Sequence, residues 1–365
     1  MKLKQLFALA ALSAMSIAGV GAQQTTQSLQ EQIAALNNRI AMLEGEQDAT
    51  QSQLRESGIK SFFDKHMRIS GYIQVGYEWV EDNTSSFYVE RARFKVDGDL
   101  WRDKLDYCLQ IEFASPKIVD AYVRFKPMTQ LNVQLGQFKI PFSIENTEFP
   151  PLKAEFIEYP MVLTRLVRMN DVCGIASGGR DIGAQLYGSF FKRDGYDILS
   201  YNVAVMNGAG INRTDSNKSK DVVGRLMVRP IRNLLLSASY MFSEVPIGDN
   251  PYADASRYGF GAMYDCERFI VRSEYVVGHT AGVDAHGAYV TGGYRFKESP
   301  FTALARWEFF DQDKAQSGYR QVNYSVGVDY QPLKYLRMQL NYTFSTFNSD
   351  APNMSGINLM VSGIF

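Results

Sequence analysis

The chain has 365 residues, 45% hydrophobic and 21% charged, with 38 basic against 39 acidic side chains and a formal net charge of -1. That balance removes the electrostatic footprint of a nucleic-acid binder. The three cysteines, Cys108, Cys173 and Cys266, match neither a disulfide framework nor a metal spacing, so no cofactor is expected.

Residues 1–22 read as a cleaved secretory signal. Lys2 and Lys4 precede an apolar run over 6–20, and Val20, Gly21 and Ala22 put small residues before Gln23. Beyond that segment no apolar run reaches the ~18 residues that a membrane helix needs. Residues 23–57 carry a heptad seam of Leu29, Ile33, Leu36, Ile40, Leu43, Gln47, Thr50 and Leu54. So narrow an apolar stripe calls for a partner helix, and the segment is expected to be a periplasmic coiled coil. An alternative is that the helix docks on its own domain. Residues 58–67 follow as a linker.

From 68 to 365 the dominant period is two, which sends successive side chains to opposite faces of a strand. Ile69, Ile73, Val75, Tyr77 and Trp79 share one face of the first run, and Ser70, Tyr72, Gln74 and Glu78 the other. Sixteen such runs are expected. Joints from even to odd runs are tight. Three share one pattern, at Phe125-x-Pro127-Met128-x-x-Leu131, Val228-x-Pro230-Ile231-x-x-Leu234 and Tyr330-x-Pro332-Leu333-x-x-Leu336. Joints from odd to even runs are mostly long and polar, as at 208–220, 244–256 and 311–320. Short turns at one end and long loops at the other describe an all-β, 16-stranded antiparallel transmembrane barrel. Its apolar face would meet outer-membrane lipid, its polar face a wet lumen, and Tyr77, Trp79, Tyr107, Phe309, Tyr342 and Phe344 would form aromatic girdles. A soluble sandwich or propeller would not leave second faces so consistently charged.

The stretches FYVERARFKVDG (87–98), DAYV (120–123) and GQFKIPFSIE (136–145) resemble the phosphate-selective porin O and P family, over residues 68 to about 182. The resemblance implies trimeric outer-membrane channels that pass anions. Its lumen-facing arginines are matched by Arg91, Arg93 and Arg124. The heptad segment also resembles N-terminal coiled coils of some sugar and anion porins.

The connection 140–180 is far longer than a hairpin needs and is expected to fold inward as a constriction. It holds Lys153, Arg165, Arg168 and Arg180 against Glu145, Glu148, Glu155, Glu158 and Asp171, and Pro141, Pro150, Pro151 and Pro160 stiffen it. Basic positions on the lumen face outnumber acidic ones. Arg91, Arg93, Lys95, Arg124, Lys126, Lys139, Arg165, Arg168 and Arg180 are the expected pore-lining and anion-binding residues, since guanidinium grips phosphate or carboxylate in a fork. The competing arrangement is a ladder in which these arginines pair with Asp106, Glu112 and Asp120.

The expected function is passive diffusion of small anions (phosphate-type) and polar solutes through a homotrimeric porin. A general or saccharide porin, or a barrel tethered to the cell wall through the coiled coil, is the alternative. An enzyme would need a rim nucleophile and base. His279 and His286, read as sharing one outer loop with Thr280 and Asp284 nearby, are the candidates, and no catalysis is expected.

Overall fold

The computed structural model describes residues 22–56, 66–215, 217–349 and 351–365. The expected signal peptide (1–22) and linker (58–67) fall almost wholly outside these residues. The chain divides into two units, 1–64 and 65–365. Among the described residues, the first contains the helix α1 (Ala22–Glu56). Of its expected seam, Ile33, Leu36, Ile40 and Leu43 are 45–61% exposed, an apolar stripe open to solvent.

The second unit is a closed antiparallel barrel. Its first nine strands are β1 (Arg68–Val80), β2 (Ser86–Trp101), β3 (Leu105–Glu112), β4 (Lys117–Met128), β5 (Leu131–Lys139), β6 (Arg180–Arg193), β7 (Tyr196–Met206), β8 (Asp221–Ile231) and β9 (Leu234–Phe242). A hairpin of β10 (Glu244–Ile247) and β11 (Asn250–Asp254) stands apart. The wall resumes with β12 (Arg257–Asp265), β13 (Phe269–Thr280), β14 (Val283–Arg295), β15 (Phe301–Asp311), β16 (Arg320–Leu333), β17 (Leu336–Phe347) and β18 (Met354–Ile364). Sixteen strands close when β1 pairs with β18, Val75 against Val361. Gly71 and Phe365 exchange backbone hydrogen bonds of 2.8 and 3.0 Å at the seam.

The two faces are inverted relative to a soluble protein. Ile69, Ile73, Leu135, Val326 and Leu340 point outward and are exposed, while Gln74, Asp106, Ser237, Ser325 and Gln339 are buried within. Aromatic pairs mark both rims: Tyr77–Phe87 and Trp307–Phe309 toward the long loops, Phe301–Tyr330 and Phe269–Tyr294 toward the short turns.

Three local features depart from the sequence reading. In the shared proline pattern the proline sits not in the turn but in a register shift just before it. The closing pairs are Met128↔Leu131, Ile231↔Leu234 and Leu333↔Leu336. A residue without an amide hydrogen fits a bulge, where the ladder asks for no donor. Residues 244–256 form the β10–β11 hairpin rather than an irregular loop. His279 and His286 lie on β13 and β14, not on a loop. Ala281 and Gly282, at φ of 48° and 89°, join those strands directly in the left-handed geometry of a two-residue hairpin.

Leu340 is 49% exposed midway along β17, between Val328 and Leu359 on the neighbouring strands. Leu340→Arg is expected to destabilise the barrel in lipid vesicles by about 2–4 kcal/mol, as for a cation at mid-bilayer. A urea titration showing no loss would place this face in water.

Candidate functional site

The site is the lumen and the 140–179 segment that enters it. Where β5 ends, the Ile140 amide bonds Gly179 O at 2.9 Å and brings the two ends of the segment together. The chain between carries two short helices, α2 (Ile144–Glu148) and α3 (Met161–Leu166).

Glu274 of β13 receives the start of α2. Its carboxylate accepts from Ser143 Oγ (2.8 Å), the amides of Ile144 (2.8 Å) and Glu145 (3.0 Å), and Tyr289 OH (2.7 Å). Ser143 is held at φ 75°, a left-handed value that a non-glycine residue adopts at a cost. The gathered donors stabilise it. Two residues away on the same face, Arg272 donates to Glu145 Oε2 at 2.5 Å and to both oxygens of Glu155, and its guanidinium lies 3.6 Å from the centre of the Phe149 ring. Burial pushes the Glu145 carboxyl above the ordinary carboxylate range, although Arg272 opposes it.

Further ties run round the wall. On β12, Arg257 bonds Leu166 O (3.1 Å) and Asp171 (2.9 Å). On β15, Glu308 accepts from the Met161 amide (2.7 Å) and Arg306 donates to Glu158 O (2.8 Å). On β17, Arg337 and Gln339 hold Ala154 O at 2.8 and 3.3 Å. Between these ties Phe142, Val162, Leu163 and Leu166 pack against Val223, Met241, Val276 and Phe310. Between those polar ties an apolar cluster thus joins the segment to the lumen face of β7–β9 and β13–β15.

A cavity of about 900 Å³ lies toward the long-loop end, bounded by β1, β2, the inserted segment and β15–β18. Arg91, Arg93, Arg165 and Arg180 line it together, and so do Glu78, Glu90, Glu158 and Glu308. Its wall is thus of mixed charge. Arg91 pairs with Glu90 (2.9 Å), Arg93 with Glu112 (2.9 Å) and Arg180 with Asp120 (2.9 Å). Lys95 pairs with Asp97, and Arg124 and Lys126 share Asp106, nearer the short-turn end. The expected cross-strand ladder is present at Glu112 and Asp106, whereas Arg91 and Lys95 pair within β2 and Arg180 reaches Asp120 past β5. Lys139 donates to Asn146 O within the segment. Arg168 lies away from the cavity, fully buried against Asp221 (3.3 Å), Ser243 and Cys173.

The anchoring roles of Arg272, Glu274, Arg306 and Glu308 were not legible beforehand. A signal does exist: Arg-x-Glu recurs on one face of two different strands, β13 and β15.

Arg272→Met leaves Glu145 and Glu155 buried without their counter-charge, a loss of about 3–5 kcal/mol. Limited proteolysis at Lys153 and Arg165 should accelerate while the barrel stays intact, and unchanged cleavage would refute the anchor. Burial also raises the Asp171 carboxyl, but Arg257 and Arg168 beside it outweigh this and hold it below the ordinary range. Its stabilisation is therefore present above the unfolded-state value of about 4 and lost as pH falls through the depressed folded-state value. Asp171→Asn should flatten that acid limb of the protein's melting profile, and an unaltered limb would show that Asp171 does not produce it.

The model of the phosphate-selective porin O and P family matches residues 70–233. Among solved structures, an anion-selective porin from Comamonas acidovorans is similar at 12% identity, covering 82% of this chain and 99% of that one, with a TM-score of 0.67. The trimer form of Vibrio cholerae OmpT is similar at 11% identity over 82% and 99%, with a TM-score of 0.59. Salmonella typhi OmpF in complex with daunomycin follows at 11% over 83% and 98%, with a TM-score of 0.57. No curated protein matches significantly. Residues 70–233, which hold most of the first eight strands and the inserted segment, thus match the phosphate-selective porin O and P family, and the whole barrel has the porin fold.

Proposed function

We propose that this outer-membrane barrel is a passive porin for small anions and polar solutes, with residues 140–179 as its constriction. The observation that carries the reading is the inserted segment, tied to the wall from β8 to β17 and packed on it through an apolar cluster, beside a cavity lined by Arg91, Arg93, Arg165 and Arg180. No chemistry is involved. Passage depends on width and local field. The anion selectivity named for the Comamonas acidovorans porin supports the sign of the preference.

Pairing bears on strength. Three of the four cavity arginines already hold carboxylates, which favours weak anion preference over a tight phosphate site. Residues 1–22 serve as the export signal, and a mature N-terminus at Gln23 is the expected result of sequencing. The exposed seam of α1 is satisfied by the same helix of neighbouring copies, in keeping with a homotrimer. Contact with the cell wall through α1 is the competing use of that helix.

In planar bilayers under a salt gradient, the reversal potential should have the anion-selective sign, and phosphate should compete with chloride only weakly. A cation-selective sign would overturn the anion reading, and absence of conductance the porin reading. Deleting 140–179 should raise single-channel conductance.

A further inference from the structure

The charges lining the cavity are not equivalent. Arg91 with Glu90, Arg93 with Glu112, Arg180 with Asp120 and Arg306 with Glu308 are internally neutral pairs. Each contributes a short-range dipole and little net field. Three cavity groups stand outside such pairs. Arg165, on α3, makes no side-chain hydrogen bond or ion pair among the described residues, and the same is true of Glu78, on β1. Glu158 accepts a single neutral hydrogen bond, from Asn358 Nδ2 at 3.0 Å on β18, the strand beside β1. Glu78 and Asn358 are direct register partners, so Glu158 reaches from the inserted segment toward the β1–β18 wall that carries Glu78, while Arg165 stands on α3 of that same segment.

We infer that this cavity is a binding subsite for small zwitterionic solutes, amino acids and short peptides, with Arg165 taking the carboxylate and Glu78 and Glu158 taking the ammonium group. The inference rests on the porin reading and narrows its solute class. A guanidinium accepts a carboxylate in a two-bond fork. Carboxylates lining the same cavity reward an ammonium group, so a solute with both charges satisfies both kinds of group and a plain anion only one. A cation meets the reverse. The 900 Å³ cavity is roomy enough for a dipeptide with its water, and the screening by that water keeps binding weak, as passage requires.

The test uses proteoliposomes holding the full-length chain, loaded with trace radiolabelled glycylglycine, N-acetylglycine or glycylglycinamide in buffered salt. These probes carry both charges, only the negative and only the positive. Glycylglycine should leave about two- to fivefold faster than either, the size expected for solvent-screened ion pairs. Arg165→Gln and Glu78→Gln should each bring that ratio toward one. Because the comparison among solutes is made first in the unaltered protein, it does not depend on a variant folding. N-acetylglycine or glycylglycinamide leaving as fast as glycylglycine would overturn the subsite, as would a ratio indifferent to both substitutions. Efflux of none of the three would instead overturn the porin reading itself.

Discussion

Lipid hydrocarbon offers no hydrogen-bond partner, so every amide of a strand that crosses it must be paired inside the sheet. An open sheet would leave two bare edges. This chain removes them by pairing β1 with β18, so that its first and last strands become neighbours. Closure has a second consequence. With the apolar faces turned to lipid, the polar faces turn inward, and the interior cannot be a hydrophobic core of the ordinary kind.

The 140–179 segment solves that interior problem in two ways at once. Against β7–β15 it supplies apolar side chains and builds a small conventional core around Phe142, Leu163 and Leu166. Above and below that core it supplies carboxylates and backbone groups to Arg257, Arg272, Arg306 and Arg337. Buried ions are costly unless paired and fully hydrogen-bonded. Their pairing explains why lumen-facing arginines here serve mainly as fasteners. The same arrangement leaves a cavity of mixed charge beside the segment, lined by Arg91, Arg93, Arg165 and Arg180.

The strands were readable because lipid and water imposed opposite demands on alternate residues, as Ile73 and Gln74 show. Turns were readable in position but not in detail: the shared proline pattern marks a bulge, a feature of pairing across two strands. The site was less legible. Arg91, Arg93, Arg165 and Arg180 do meet in one cavity, whereas Arg168 lies in a buried ion pair elsewhere. Parity can say that an arginine faces inward. It cannot say whether water or a carboxylate waits there, because Arg272 finds Glu145 across 127 residues of chain.

By itself the sequence determined the sixteen-strand count, the inner and outer faces, the end that bears the long loops, and the heptad stripe of α1. These follow from local periodicity, which a strand or helix carries in its own residues. Only the tertiary structure decided which strands the 140–179 segment packs against, and which charges remain unpaired in the cavity among the described residues. Those are matters of contact between segments distant in the chain, where electrostatic pairing is set by position in space and not by order in sequence.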